Sequence, residues 1–249
     1  MRSVADQGSA TGSDLATHQV DGRAGKATTE DGIAMRRLDP ASSGRVADLF
    51  ALTMVDEPLF TSALDCPPRR RHRLLVPFFH TMVRGHLPYS ELHGAFLDGR
   101  LVGCGIRVPP GRWPLSRLEG MRSTLWEGLG LIPAFMVRPG ALRAFMAGMP
   151  EIARHHPNDP PHWYLNYMGV HPRFRRQGIA TRLARFVIDQ ADRAGHGCYV
   201  ETAGEGTREL YLRLGFEIRD TFRPVPWMPW MWTLWRDPVK RPDSVGARS

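Results

Sequence analysis

Lysine is almost missing from this chain. Of its 33 Lys+Arg residues only Lys26 and Lys240 are lysine, so arginines scattered along the sequence carry the formal net charge of +8. A nucleic-acid binder would gather that charge into one arm or face. The N-terminal stretch instead mixes Asp6, Asp14, Asp21, Glu30 and Asp31 with Arg2, Arg23 and Lys26. The arginine bias reflects either the coding bias of a GC-rich genome or a use of guanidinium forks on phosphates. Cysteine is sparse too: Cys66, Cys104 and Cys198, with no CxxC spacing. That excludes a disulfide framework and a zinc site and fits a reduced, cytoplasmic setting. No long apolar run exists. The most apolar stretch, Leu129 to Val137, contains Pro133 and lies between Glu127 and Arg138, far too short to span a bilayer. Met1 to Gly32 is polar, with no signal core. There is no GxxxxGK[ST], and no GxGxxG with a following acidic residue. The expectation is a soluble protein with no metal, no membrane partner and no nucleic-acid partner.

What is present suits a globular domain. Hydrophobic residues make up 42% and charged residues 23% of the 249. Residues 1–31 read as a tail, 32–236 as one domain, and 237–249 as a second tail. Ile33 to Leu38 predicts a strand and Ala41 to Met54 a helix. Asp65-Cys-Pro-Pro opens a further helix, which Pro77 is expected to kink. Asp98-Gly99 separates two strand-like runs, Glu91 to Asp98 and Leu101 to Val108, as a hairpin turn does. Residues 113–156, punctuated by Gly128, Gly130, Pro133, Pro139 and Gly140, read as an insertion of helical pieces. Strand, helix, strand, helix, strand and strand follow, at Trp163 to Val170, Arg176 to Ala194, Gly197 to Thr202, Glu205 to Leu214, Phe216 to Thr221 and Met228 to Trp235. The fold class is α/β, a mixed sheet flanked by helices.

The chemistry concentrates where the first of these strands gives way to its helix. Arg175-Arg-Gln-Gly-Ile-Ala180 puts small residues and two arginines at a helix start. Free backbone N–H groups there point at an anion, the helix dipole favours negative charge, and Gly178 and Ala180 allow close approach. That is a site for a phosphate or pyrophosphate.

The match runs beyond the turn. Val170-His-Pro-Arg-Phe-Arg-Arg-Gln-Gly-Ile-Ala resembles the acetyl-CoA-binding signature of the GNAT superfamily of N-acetyltransferases. Glu209-Leu-Tyr-Leu-Arg-Leu-Gly-Phe-Glu-Ile resembles the helix-and-strand closure of the same superfamily. From His162-Trp-Tyr-Leu165 through Glu201-Thr202 to Trp230–Trp235 the chain is similar to puromycin N-acetyltransferase and related small-molecule acetyltransferases. The resemblance implies a mostly antiparallel sheet of about seven strands, splayed at its centre. It also implies acetyl-CoA as cosubstrate and direct transfer to a primary amine of a small molecule in a ternary complex. Met168, Gly169 and Val170 would hold the pantetheine arm. Arg175, Arg176, Gln177, Gly178, Ala180 and Thr181 would hold the pyrophosphate. Thr207 stands where relatives carry Asn, so its contact with the cofactor arm is the point of departure.

Tyr211 matches the tyrosine that protonates the departing thiolate; a core tyrosine beside Leu210 and Leu214 is the other reading. Glu201, ending a strand, is a candidate base against an ordinary paired carboxylate. His162 and His171 are weaker candidates, and His155-His156 reads as loop. Trp227, Trp230, Trp232 and Trp235 read as packing or as an aromatic wall around substrate. Arg69-Arg-Arg-His-Arg73 reads as a solvated helix face. The rival functions are a protein or peptide N-acetyltransferase and a non-catalytic acyl-CoA-binding module. The oligomeric expectation is monomer or homodimer.

Overall fold

The computed structural model describes residues 28–30 and 32–239. Most of the two expected tails lies outside the described residues. Thr28–Glu30, read as tail, instead forms strand β1 and pairs with β2 (Ile33–Leu38). The remaining strands are β3 (Glu91–Leu97), β4 (Arg100–Val108), β5 (His162–Val170), β6 (Gly197–Thr202), β7 (Glu217–Phe222) and β8 (Met231–Arg236). They form one eight-stranded sheet in the order β1-β2-β3-β4-β5-β6-β8-β7. Every pairing is antiparallel except β5 with β6. The β3–β4 hairpin turns at Asp98 and Gly99, whose φ values of 49° and 75° are the left-handed pair that such a turn requires.

Helices cover both faces. On one face α1 (Ser43–Thr53) and α3 (Pro68–His86) bury Val46, Phe50, Leu75, Phe79 and Met82 against Cys104 and Ile106. On the other, α6 (Ile179–Ala194) lays Ile179 and Leu183 on Val102 and Ala184, Val187 and Ile188 beside Trp163 and Val200. Val102 would share a face with Cys104 and Ile106 by strict alternation. The register shift between Ala95↔Gly103 and Phe96↔Leu101 makes Val102 a bulge residue and turns it to the α6 side.

The 113–156 region is two long helices, α4 (Arg117–Val137) and α5 (Pro139–His155). A capping box, with the Ser116 hydroxyl accepting from Glu119 N and the Glu119 carboxylate accepting from Ser116 N, starts α4. It then runs unbroken through Gly128, Gly130 and Pro133. Gly130 is a packing residue rather than punctuation: a Cβ there would stand 2.0 Å from Thr81 Oγ1 and 2.6 Å from Phe78 Cα on α3. The sequence pattern also missed α2 (Pro58–Ala63), six residues and too short to show a period.

Arg71 corrects the reading of its basic run as a solvated face. Its guanidinium is buried and donates to the carbonyls of Leu64 (3.2 Å), Val55 (2.6 Å) and Cys66 (2.7 Å). Those carbonyls bracket α2, so one side chain fixes both of its ends.

Candidate active site

The turn between β5 and α6 is built by backbone conformation. Pro172–Phe174 is a single 3₁₀ turn in which His171 Nδ1 accepts from Arg173 N at 3.2 Å. Arg176 and Gly178 then take left-handed φ values of 61° and 74°. A helix cannot run through two such residues, so α6 starts at Ile179 rather than at Arg176 as its sequence predicts. Gly178 is the N-cap and offers no side chain to the first free N–H groups. A recess of about 180 Å³ lies there, lined by Val170, Arg175, Arg176, Gly178, Ala180 and Thr181. Gln177 sits exposed on the same turn. Arg175 is tied back by donating to Thr53 O at 3.3 Å.

From this recess a slot runs between β5 and β6. The two strands pair over three residues only, His162↔Gly197, Trp163↔Cys198 and Tyr164↔Tyr199. Beyond them β5 continues alone to Val170 on that side. Its other edge stays paired with β4, with Asn166 as the extra residue of a bulge. The splayed sheet that the sequence resemblance implies is therefore present. Met168, Gly169 and Val170 line the opening, and their outward backbone groups lack a strand partner. At Gly169 a Cβ would fall 2.4 Å from Thr53 Oγ1 and 3.2 Å from Thr53 Cβ. Gly169→Ala is expected to cost about 1–3 kcal/mol, as overpacking does, seen as a lower urea midpoint. Thr53→Ala in the same chain should recover most of it.

The slot opens into a cavity of about 1070 Å³. Arg175, Arg176, Ala180 and Thr207 line one end. Tyr211, Glu201, Glu57, Glu127, His86 and His156 line the rest, with Trp113, Tyr164, Tyr167, Phe60 and Phe145 as aromatic surface. None of Trp227, Trp230, Trp232 and Trp235 lines it. Three of these stack under arginines instead: Trp227 with Arg143, Trp230 with Arg223 and Trp232 with Arg208.

Tyr211, on α7 (Glu205–Arg213), is 1% exposed and meets Phe216 edge-on at 5.0 Å. Burial raises its hydroxyl pKa. Its ring packs in the core and its residue borders the cavity. Glu201 accepts from Tyr164 Oη at 2.6 Å and from Tyr199 Oη at 2.8 Å. Burial raises its pKa above the usual carboxylate range, and the two tyrosine hydrogen bonds oppose this.

Two groups were hidden in the sequence. Glu57 caps α2, accepting from Leu59 N at 2.8 Å. Burial pushes its carboxyl up to about 7, the backbone hydrogen bonds working against the shift. His156, read as loop, is buried with Nδ1 4.0 Å from Glu201 Oε2. Its Nε2 lies 3.1 Å from His162 Nε2, and His162 Nδ1 lies 2.8 Å from Pro160 O. That carbonyl fixes the His162 proton on Nδ1, so His156 donates from Nε2 and presents its Nδ1 lone pair to Glu201. Burial pushes His156 down to about 3 and lowers His162 as well.

A third polar group sits on the wall formed by α3, α4 and β5. Glu127 Oε1 takes His86 Nε2 at 3.0 Å and Ser123 Oγ at 3.0 Å. Tyr89 Oη lies 2.9 Å from Ser123 Oγ, and the Asn166 amide 3.1 Å from His86 Nδ1. Among the described residues no group of three or more His, Cys, Asp and Glu is arranged to hold a metal ion. No described helix is long and apolar enough to cross a membrane.

A cavity that leads from a cationic turn, along an unpaired strand edge, to buried tyrosine, glutamate and histidine side chains suits the delivery of an activated acyl group to a nucleophile. That is the class of site an acyl-CoA-dependent acyltransferase needs. Residues 57–216, more than half of the chain, match the model of the Acetyltransferase (GNAT) family. The chain belongs to that family: it is an acetyltransferase, and acetyl-CoA is its cosubstrate. The residues present fit that cosubstrate, with a cationic recess for its phosphates and an open strand edge for its pantetheine amides.

Solved structures agree in fold. A protein described as histone acetyltransferase HPA2 and related acetyltransferase, from Corynebacterium glutamicum, superposes with TM-score 0.60 at 18% identity. The match covers 83% of this chain and 97% of that one. Arylalkylamine N-acetyltransferase 2 from Aedes aegypti gives TM-score 0.55 at 12% identity, covering 83% and 99%.

Proposed function

We propose that this protein moves the acetyl group of acetyl-CoA to the primary amine of a small molecule, by direct attack in a ternary complex. The observation that carries this reading is a single cavity joining the cationic recess to Tyr211, Glu57 and Glu201. The two helices of the 113–156 region favour a small acceptor over a peptide, since Phe145, Met146, Met149 and Ile152 of α5 line one side of the cavity. The likeness to puromycin N-acetyltransferase points the same way.

In this reading Arg175, Arg176, Gln177, Gly178, Ala180 and Thr181 hold the pyrophosphate, and Thr207 borders the arm. Met168, Gly169 and Val170 bind the arm through backbone groups, one N–H polarising the thioester carbonyl. Glu57 takes a proton from the incoming ammonium; its pKa of about 7 suits a base working near neutrality. The neutral amine attacks the carbonyl carbon, the C–N bond forms and the C–S bond breaks. Tyr211 gives its phenolic proton to the departing thiolate and is reprotonated from solvent. Over the cycle the amine loses two protons, one recovered in the thiol and one released. Glu201, candidate base on sequence grounds, has both oxygens engaged by tyrosines, which suits it to orienting the acceptor.

The test is CoA release over a panel of amines with wild type and Tyr211→Phe. Wild type should turn over. The variant should lose roughly 10²-fold in kcat, with the KM for acetyl-CoA little changed. No CoA release with any amine, while acetyl-CoA still binds, would sink the reading and favour a non-catalytic acyl-CoA-binding module. An unchanged kcat in Tyr211→Phe would remove that residue from the chemistry.

A further inference from the structure

The acceptor end of the cavity carries charge of the sign opposite to that of the protein. The chain is +8 overall, yet among the described residues the only Lys or Arg side chains lining the cavity are Arg175 and Arg176, at its recess end. Away from them it is lined by Glu57, Glu127 and Glu201, and at its rim by Asp56. The last is an exposed carboxylate 4.0 Å from Arg71. The three glutamates and Tyr167 line this one cavity. The Tyr167 hydroxyl, already raised by burial, is raised further by Glu127, Glu201 and Glu57 in turn.

Glu127 is the glutamate that neither the fold nor the proposed chemistry uses up. It is 9% exposed. Both of its hydrogen bonds fall on Oε1, from His86 and Ser123, and no described residue bonds Oε2. The Asn166 amide nitrogen lies 3.1 Å from His86 Nδ1, so His86 turns its Nε2 towards Glu127. An imidazole nitrogen and a hydroxyl hold Oε1, and Oε2 is left to the cavity. A largely buried carboxylate with one oxygen that no described residue bonds is costly, and a ligand cation lowers that cost. Tyr89, Trp113, Tyr164 and Tyr167 add ring faces suited to a cation in the same space.

We propose that the acceptor carries two cationic groups, with its reacting amine at Glu57 and its second cation on Glu127. This rests on the acetyl-transfer reading for the identity of the reacting end alone; the second-cation site stands on its own binding measurement. It predicts a diamine or a longer polyamine as the substrate class.

Calorimetry on the protein–CoA complex tests it. Linear alkane diamines would be titrated against n-alkylamines and amino alcohols of equal length. The best diamine should bind at least roughly tenfold more tightly than its monoamine, a difference of about 1.4 kcal/mol. Glu127→Gln should abolish that preference while leaving the monoamine unchanged. Equal binding of diamine and monoamine by wild type would overturn the proposal, with no variant needed. Amino alcohols matching diamines would overturn it in favour of a neutral hydrogen-bonding site. A Glu127→Gln protein that binds CoA but weakens both ligands alike would also overturn it. Preferential diamine binding with no acetyl transfer would count against the proposed reaction and leave the second-cation site standing. Turnover of monoamine and diamine with equal affinity would do the reverse.

Discussion

Glu57→Gln is expected to lower kcat/KM for the amine by roughly 10²–10³-fold, the usual scale for losing a positioned general base. The pH profile separates this from a loss of shape. In wild type the acid limb should fall away below the Glu57 pKa of about 7, because the carboxyl is then protonated and cannot accept from the ammonium. In the variant that limb should vanish, leaving only the ionisation of the amine itself. Stability should move the other way. The folded-state pKa lies above the ordinary 4.5, so protonation favours the folded state. The favourable contribution is complete below 4.5 and is lost as pH rises through about 7. At alkaline pH wild type therefore carries a buried charge that glutamine does not, and the variant should be the more stable by up to a few kcal/mol. Denaturation at alkaline and acidic pH checks this; the difference should close in acid. A variant that loses activity and is also less stable at every pH would mark Glu57 as merely the cap of α2.

Acetyl-CoA should raise the thermal midpoint by roughly 5–10 °C at about 100 times its dissociation constant. At that ratio binding adds roughly 2.7 kcal/mol, and a chain of this size gains about 2–4 °C per kcal/mol. Gly178→Glu should abolish the rise. Among the described residues, no atom beyond its chain neighbours lies within 4 Å of the position its Cβ would take, so the added Cβ meets no clash. Its costs are the left-handed φ of 74°, about 1–2 kcal/mol, and a carboxylate placed in the phosphate recess. The unliganded midpoint should thus drop only modestly while the ligand response disappears. A full response in Gly178→Glu would move the phosphates away from the α6 N-terminus.

How much of this was legible depended on distance along the chain. The turn before α6 was readable because Arg175 to Thr181 are neighbours in sequence and their backbone conformation shapes it. The strands were readable where apolar alternation was clean, and Gly197–Thr202 falls where its pattern puts it. Glu57 was not, since its raised pKa comes from burial under elements that the sequence does not bring near it. Arg71 was lost inside a run of like residues, of which it alone turns inward to three carbonyls. Gly130 carried a misleading signal: glycine as a breaker and glycine as a close-approach residue look alike until Thr81 and Phe78 stand opposite. His156 gave no signal at all; only the fold brings it to Glu201.

The short parallel pairing of β5 with β6 has a mechanical meaning. Three rungs join β1 to β5 with β6 to β8, a narrow hinge in the geometry of the sheet. The last rung of that hinge is Tyr164↔Tyr199, and those are the two side chains whose hydroxyls grip Glu201. The pair that closes the strand contact and the pair that holds the carboxylate are thus the same two residues, so the end of the slot and the setting of Glu201 share one piece of structure.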